Sequence, residues 1–107
     1  MMKWYCNLYT GGMAEKHRRR IISNIKHGKK QIGVYVITLP SNEKNILDLY
    51  PSYILLQKHF SEIQLKIIGI AVSKDEALGV VQEILMECFD KTGGFRVSDM
   101  IKEKEFK

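Results

Sequence analysis

The sequence predicts an α/β fold: a small three-layer, mainly parallel sheet of three or four strands with helices on both faces. Residues 33–39 and 66–72 form two aliphatic runs that are apolar at both parities, as strands are when both faces of their sheet are covered. The segments between the strand runs are long enough for helical crossovers, which implies βαβ units with right-handed connections. The alternative is an α+β ferredoxin-like sandwich, because a chain of 107 residues can keep its helices on one face. Strands apolar at both parities argue against it.

Residues 4–9 read as a first strand rich in aromatic side chains, closed by Thr10-Gly11-Gly12. A helix is expected over residues 13–27, stopped by Gly28. Ala14, Ile21, Ile22 and Ile25 define its narrow core stripe, while Lys16, Arg19, Arg20, Ser23, Lys26 and Lys30 point away. Arg18 falls inside the stripe at about 100° per residue. Its stem must cover apolar surface while its guanidinium reaches water, a carboxylate or a ligand.

The strand over 33–39 is closed by Pro40 and reads as central. A polar connection from Ser41 to Asn45 leads into residues 46–50, where Pro51 interrupts or restarts a helix that continues over 52–60. Ile46, Leu47, Leu49, Tyr50, Tyr53, Ile54, Leu55, Leu56 and Phe60 are more apolar surface than one short helix needs to dock on a sheet. Either a second subunit covers part of the region from Ile46 to Phe60, as in a homodimer, or it is a buried irregular helix.

The strand over 66–72 runs through Ser73 into a helix over 74–91. Ser73 and Glu76 have Ser-x-x-Glu capping-box spacing, which satisfies orphaned backbone N–H groups at a helix start. Ala77, Leu78, Val81, Ile84, Leu85, Cys88 and Phe89 share a core arc of about 140°, opposite Glu83, Glu87 and Asp90. Lys91 in the last turn and Gly93-Gly94 beyond it terminate the helix. Phe95-Arg96-Val97 follows as a short edge strand or extended return, Ser98 to Ile101 as a last helical turn, and 102–107 as a frayed tail of the single domain 1–107.

Apolar residues make up 45% of the chain, enough for one core without staples. No run approaches the roughly 20 apolar residues that span a bilayer, and the start Met1-Met2-Lys3-Trp4-Tyr5-Cys6 lacks a signal-peptide pattern, so a cytoplasmic location is expected. Cys6, in a strand, and Cys88, on a core arc, read as two reduced, buried thiols. The net charge of +5 is unevenly placed. Residues 1–30 carry eight Lys or Arg against Glu15 alone, a net +7, and residues 31–107 carry nine against eleven acids, a net −2. One basic face on a balanced protein is implied.

The phrases Val36-Ile37-Thr38-Leu39-Pro40-Ser41-Asn42, Ile68-Gly69-Ile70-Ala71, Asp75-Glu76-Ala77-Leu78 and Thr92-Gly93-Gly94-Phe95-Arg96-Val97 resemble small conserved hypothetical proteins of Gram-positive bacteria. That resemblance covers most of the chain and implies no activity and no functional residues.

Two sites are expected. In a parallel open sheet ligands bind beyond the carboxyl ends of the strands. There Thr10, Gly11, Gly12, Ser41, Asn42, Ser73 and Lys74 would converge, with Arg18 or Lys74 as counter-charge for a small anion. Thr-Gly-Gly lacks Gly-x-Gly-x-x-Gly spacing and a Gly-Lys-Ser/Thr ending, so no nucleotide site is specified, and turn and cap chemistry explains the same residues. The second site is the first helix, where Lys16, Arg19, Arg20, Lys26 and Lys30 would face an anionic partner, nucleic acid or an acidic protein surface. No aromatic residue lies between Met13 and Lys30, so local sequence offers no base stacking. His17, His27 and His59 lack metal-ligand spacing, and no catalytic residue, metal or cofactor is expected. The expected function is non-enzymatic binding of an anionic partner by the basic helix. The alternatives are a small-ligand or enzymatic site at the strand ends, or a structural homodimer subunit.

Overall fold

The computed structural model describes residues 2–42 and 44–107, with the Ser61 side chain excepted. Met1 and Glu43, the latter within the expected polar connection, lie outside the described residues. The elements in chain order are β1 (Met2–Thr10), α1 (Gly12–Glu15), α2 (Arg18–Lys26), β2 (Tyr35–Thr38) and β3 (Asp48–Pro51). A 3-10 turn (Ser52–Leu56), α3 (Lys58–Ser61), β4 (Leu65–Ala71), α4 (Lys74–Thr92), α5 (Val97–Met100) and a second 3-10 turn (Glu103–Glu105) follow.

The sheet has four strands in the order β1-β4-β2-β3 and is mixed, not mainly parallel. β1 runs parallel to β4, whereas β2 is antiparallel to both β4 and β3. The cause lies between α2 and β2. Thr10 at the exit of β1 pairs with Ile70, and Tyr35 at the entry of β2 pairs with Ala71, so both strands meet the same end of the sheet. A single helical pass would deliver the chain to the opposite end and a parallel strand. Here residues 27–34 add a return pass after α2, with Gly28 and Gly33 at φ 68° and 85° taking its bends.

Helices cover both faces. On one, Ile21 and Ile25 of α2 pack with Leu8, Val36, Ile67 and Ile70; on the other, Val80, Ile84 and Cys88 of α4 pack with Ile37, Ile68, Val97 and Ile101. A bulge in β4 makes this division possible. Ile37 pairs with Gly69 and Thr38 with Ile67, so Ile68 is an extra residue and Ile68 and Gly69 point to the same face. A Cβ on Gly69 would lie 3.2 Å from Ile37 Cδ1 and 3.3 Å from Val80 Cγ1. The glycine lets α4 settle close on the sheet.

The β4–α4 unit forms as expected. Ser73 Oγ accepts the Glu76 N–H at 3.0 Å, and Gly93 ends the helix at φ 80° with its N–H on the Phe89 carbonyl at 2.8 Å. Its core arc is rotated from expectation. Val80 is buried, whereas Leu78 and Phe89 are about half exposed at 51% and 48%, because the sheet meets α4 along Ala77, Val80, Ile84 and Cys88. Phe89 stacks instead on Phe95 with ring centroids 5.3 Å apart.

Five further expectations are corrected. The helix over 13–27 is two helices, broken at Lys16 and His17: α1 stays tied to the sheet end, while α2 turns to lay Ile21 and Ile25 on the sheet. Residues 48–51 form an edge strand rather than a helix. A strand sends alternate side chains to opposite faces, so Leu49 packs on the α4 side and Tyr50 on the α2 side, and part of the apolar surplus is used within the chain. Residues 95–97 form no strand, and Val97 begins α5. The segment 102–107 is docked rather than frayed: Phe106 is buried against Tyr5, and Trp4 and Lys107 exchange backbone hydrogen bonds of 2.9 Å. Cys6, expected to be buried, is exposed, because β1 leaves its register with β4 between Trp4 and Tyr9. Cys88 is buried as expected. Among the described residues no helix is long and apolar enough to cross a membrane.

Candidate anionic-partner surface

The antiparallel direction of β2 divides the expected strand-end site. Thr10, Gly11, Gly12, Ser73 and Lys74 gather where β1 and β4 leave the sheet, but Ser41 and Asn42 follow the exit of β2 at the other end. They line a cleft of about 880 Å³ between the loop after β2, the start of β4 and the segment at Phe95–Ser98. Asp48 organises that loop. Its carboxylate accepts the Ser41 N–H at 2.8 Å, the Asn45 amide at 2.9 Å and the Tyr50 hydroxyl at 3.1 Å. Burial works to raise its pKa, but these hydrogen bonds outweigh burial and hold the carboxyl below its ordinary value.

At the β1/β4 end the chain supplies its own anion. Glu76 reaches back from the first turn of α4, accepting the Val72 N–H at 3.0 Å and, across the rim, the N–H groups of Met13 at 2.9 Å and Ala14 at 3.2 Å. A carboxylate on free N–H groups at a helix start is favourable by charge and by hydrogen bonding. Gly11 makes room, since a Cβ there would lie 2.2 Å from Glu76 Cγ, Cδ and Oε1. Beside it the Thr10 hydroxyl donates to the Glu15 carboxylate, which also pairs with Arg18 at 3.7 Å. Arg18 lies on the core arc of α2 as expected and finds its carboxylate across the break, on the last residue of α1. The N–H groups of Met13, Ala14 and Val72 and the Arg18 guanidinium are therefore engaged from within, and Lys74 is exposed beside them.

The basic residues present a different picture. Lys16, Arg19, Arg20, Lys26 and Lys30 are all exposed. On α2, Ile21 and Ile25 face the sheet, which turns Arg19, Ser23 and Lys26 to the outer arc with Arg20 at its border. Among the described residues the ion pairs involve Lys3, Arg18, Lys66 and Lys91, and none involves these five cations.

Tertiary structure adds aromatic rings that local sequence does not contain. Lys26 Nζ stands over the Trp4 ring, 5.6 Å from its centroid, and Lys30 Nζ over the Tyr53 ring at 5.8 Å. Trp4 comes from β1 and Tyr53 from the turn after β3, each more than twenty residues from its lysine. Both are near-surface: Trp4 is half-buried and Tyr53 is 42% exposed. No sequence signal marks these pairings, because they depend on how α2 crosses the sheet.

The histidines are dispersed: His17 lies between α1 and α2, His27 bonds Ser23 O at 2.7 Å, and His59 packs edge-on against Phe60. Among the described residues no group of three His, Cys, Asp or Glu side chains is placed to hold a metal ion. Of the region from Ile46 to Phe60, Ile46, Tyr53 and Leu56 stay about half exposed, while Leu47, Leu49, Tyr50 and Leu55 pack on the core. No family model, curated protein or solved structure matches the chain.

Proposed function

We propose that this chain is a cytoplasmic, non-catalytic binding protein that engages a polyanionic partner through Lys16, Arg19, Arg20, Lys26 and Lys30. The observation that supports this reading is the exposure of five cations from the α1–α2 break to the loop after α2 with no acidic neighbour paired to them among the described residues. Exposed cations without an acidic partner keep their charge available for phosphates or carboxylates and raise the local concentration of polyanions. The strand-end alternative has less support, because Glu76 already takes the Met13, Ala14 and Val72 N–H groups of the β1/β4 rim and Glu15 pairs with Arg18.

The test is binding of heparin and of labelled nucleic acid across a range of salt. Five neutralised phosphates on a single strand predict a log–log salt slope of about −3.5. Replacing Arg19, Arg20 and Lys26 together with Glu should abolish binding. Absence of binding at low salt, or unchanged binding by the triple variant, rejects the reading.

A further inference from the structure

Resting on that reading, we infer that the polyanion is a single-stranded nucleic acid, with bases stacking on Trp4 and Tyr53 while the α2 cations hold its phosphates. The two rings are the observation that separates this ligand from other polyanions. Each stands at the border of the basic surface under a lysine, and the two lysines are four residues apart, Lys26 in the last turn of α2 and Lys30 in the return pass that follows it.

An ammonium group within about 6 Å of a ring centroid sits over the ring's π-face, so one face of Trp4 and one of Tyr53 are turned to a cation. A lysine stem is flexible and its charge is a point. When a base takes the place above the ring, the ammonium can swing to the adjoining phosphate, so one Lys–aromatic pair serves one nucleotide. Alternation of cation and ring along a surface is the pattern by which proteins hold single strands without reading their sequence. A duplex keeps its base faces stacked inside, and heparin or an acidic peptide has none to offer. Only a single strand uses both halves of the surface.

The experiment titrates the full chain with an oligothymidylate, a duplex of equal length, heparin and polyglutamate at one ionic strength. Binding is read together with fluorescence of Trp4, the single tryptophan of the chain. The expected result is tightest binding of the single strand with quenching of Trp4. Tyr53→Leu and Trp4→Leu should each weaken the single strand by roughly 5- to 150-fold and leave heparin affinity unchanged. Circular dichroism checks the fold of both variants. Since Trp4 also packs on the core, Tyr53→Leu decides the matter if Trp4→Leu does not fold. An unquenched Trp4 with native affinity in Tyr53→Leu overturns the stacking inference, as does tighter binding of duplex, heparin or polyglutamate, and in these cases the cationic surface still stands. If none of the four probes binds, both readings fall.

Discussion

Glu76 and Gly11 occupy complementary space: the carboxylate of one lies where the side chain of any larger residue at the other would be, 2.2 Å from an ideal Cβ. This contact joins the turn after β1 to the turn after β4. Gly11→Ala should displace the Glu76 side chain and its hydrogen bonds to Met13, Ala14 and Val72, costing about 1–3 kcal/mol. Glu76→Ala should cost a similar amount. In the double variant the alanine at 11 meets no carboxylate, so the two losses should not add. Urea unfolding of the two single variants and the double variant measures this coupling, and strict additivity would contradict the contact.

Asp48 should make stability depend on acid. Its carboxyl is held below its ordinary value because the hydrogen bonds from Ser41, Asn45 and Tyr50 outweigh the opposing effect of burial. A depressed native pKa contributes stability that is fully present above the unfolded value, near 3.8, and is lost as pH falls through the native value. Asp48→Asn should therefore be less stable than the native chain at neutral pH, with the gap closing below about pH 4. Urea midpoints across the acid range check the sign; a gap that widens on acidification would exclude this role.

Phe106 anchors the C-terminal segment on β1. It is 7% exposed and its ring lies 6.0 Å from that of Tyr5. Phe106→Ala should destabilise by about 3 kcal/mol, the lower part of the range for large-to-small changes at a core site. It should also speed hydrogen exchange at the Trp4 amide, which donates to the Lys107 carbonyl at 2.9 Å. Unchanged exchange at Trp4 would mean that the segment is held by something other than this ring.

Two glycines on either side of one interface should respond in opposite directions. Gly69→Ala introduces a methyl 3.2 Å from Ile37 and 3.3 Å from Val80, and should cost about 1–2 kcal/mol through overpacking. Gly79 lies in α4 with nothing within 4 Å of its missing Cβ. Gly79→Ala should stabilise by about 0.5–1 kcal/mol through helix propensity. Thermal unfolding of the two variants compares them directly.

The parts of the molecule that were legible in sequence are those whose signals are local. Ser73, Glu76 and Gly93 mark both ends of α4 within a turn of the residues they cap, and Ile67 to Ala71 show a strand covered on both faces. Such a strand reads the same in either direction, so β2 gave no sign that it runs against β4. Its orientation is set by the return pass over 27–34, whose residues look like an ordinary basic loop. Asp48 to Pro51 is too short to display alternation, and Pro51, read as interrupting or restarting a helix, closes an edge strand where its missing N–H is tolerated and caps the 3-10 turn that follows. At the candidate surface the cations were visible as a charge imbalance. Their aromatic neighbours were not, because Trp4 and Tyr53 approach them only after the sheet is formed. The second role of Glu76 was hidden for a related reason: its partners at α1 are backbone N–H groups, and Gly11 alone records them in the side-chain sequence.

The position of β4 also sets the order in which this molecule can become itself. Last of the strands to leave the ribosome, it is the one between β1 and β2, so β1 and the β2–β3 hairpin have no neighbour in common until residues 65–71 are made. A nascent chain halted before that point carries unpaired strand edges of the kind that invite association with other chains. Completion of the sheet thus waits for β4, which alone borders both β1 and the β2–β3 hairpin, so the two halves become one sheet only when that strand is inserted between them.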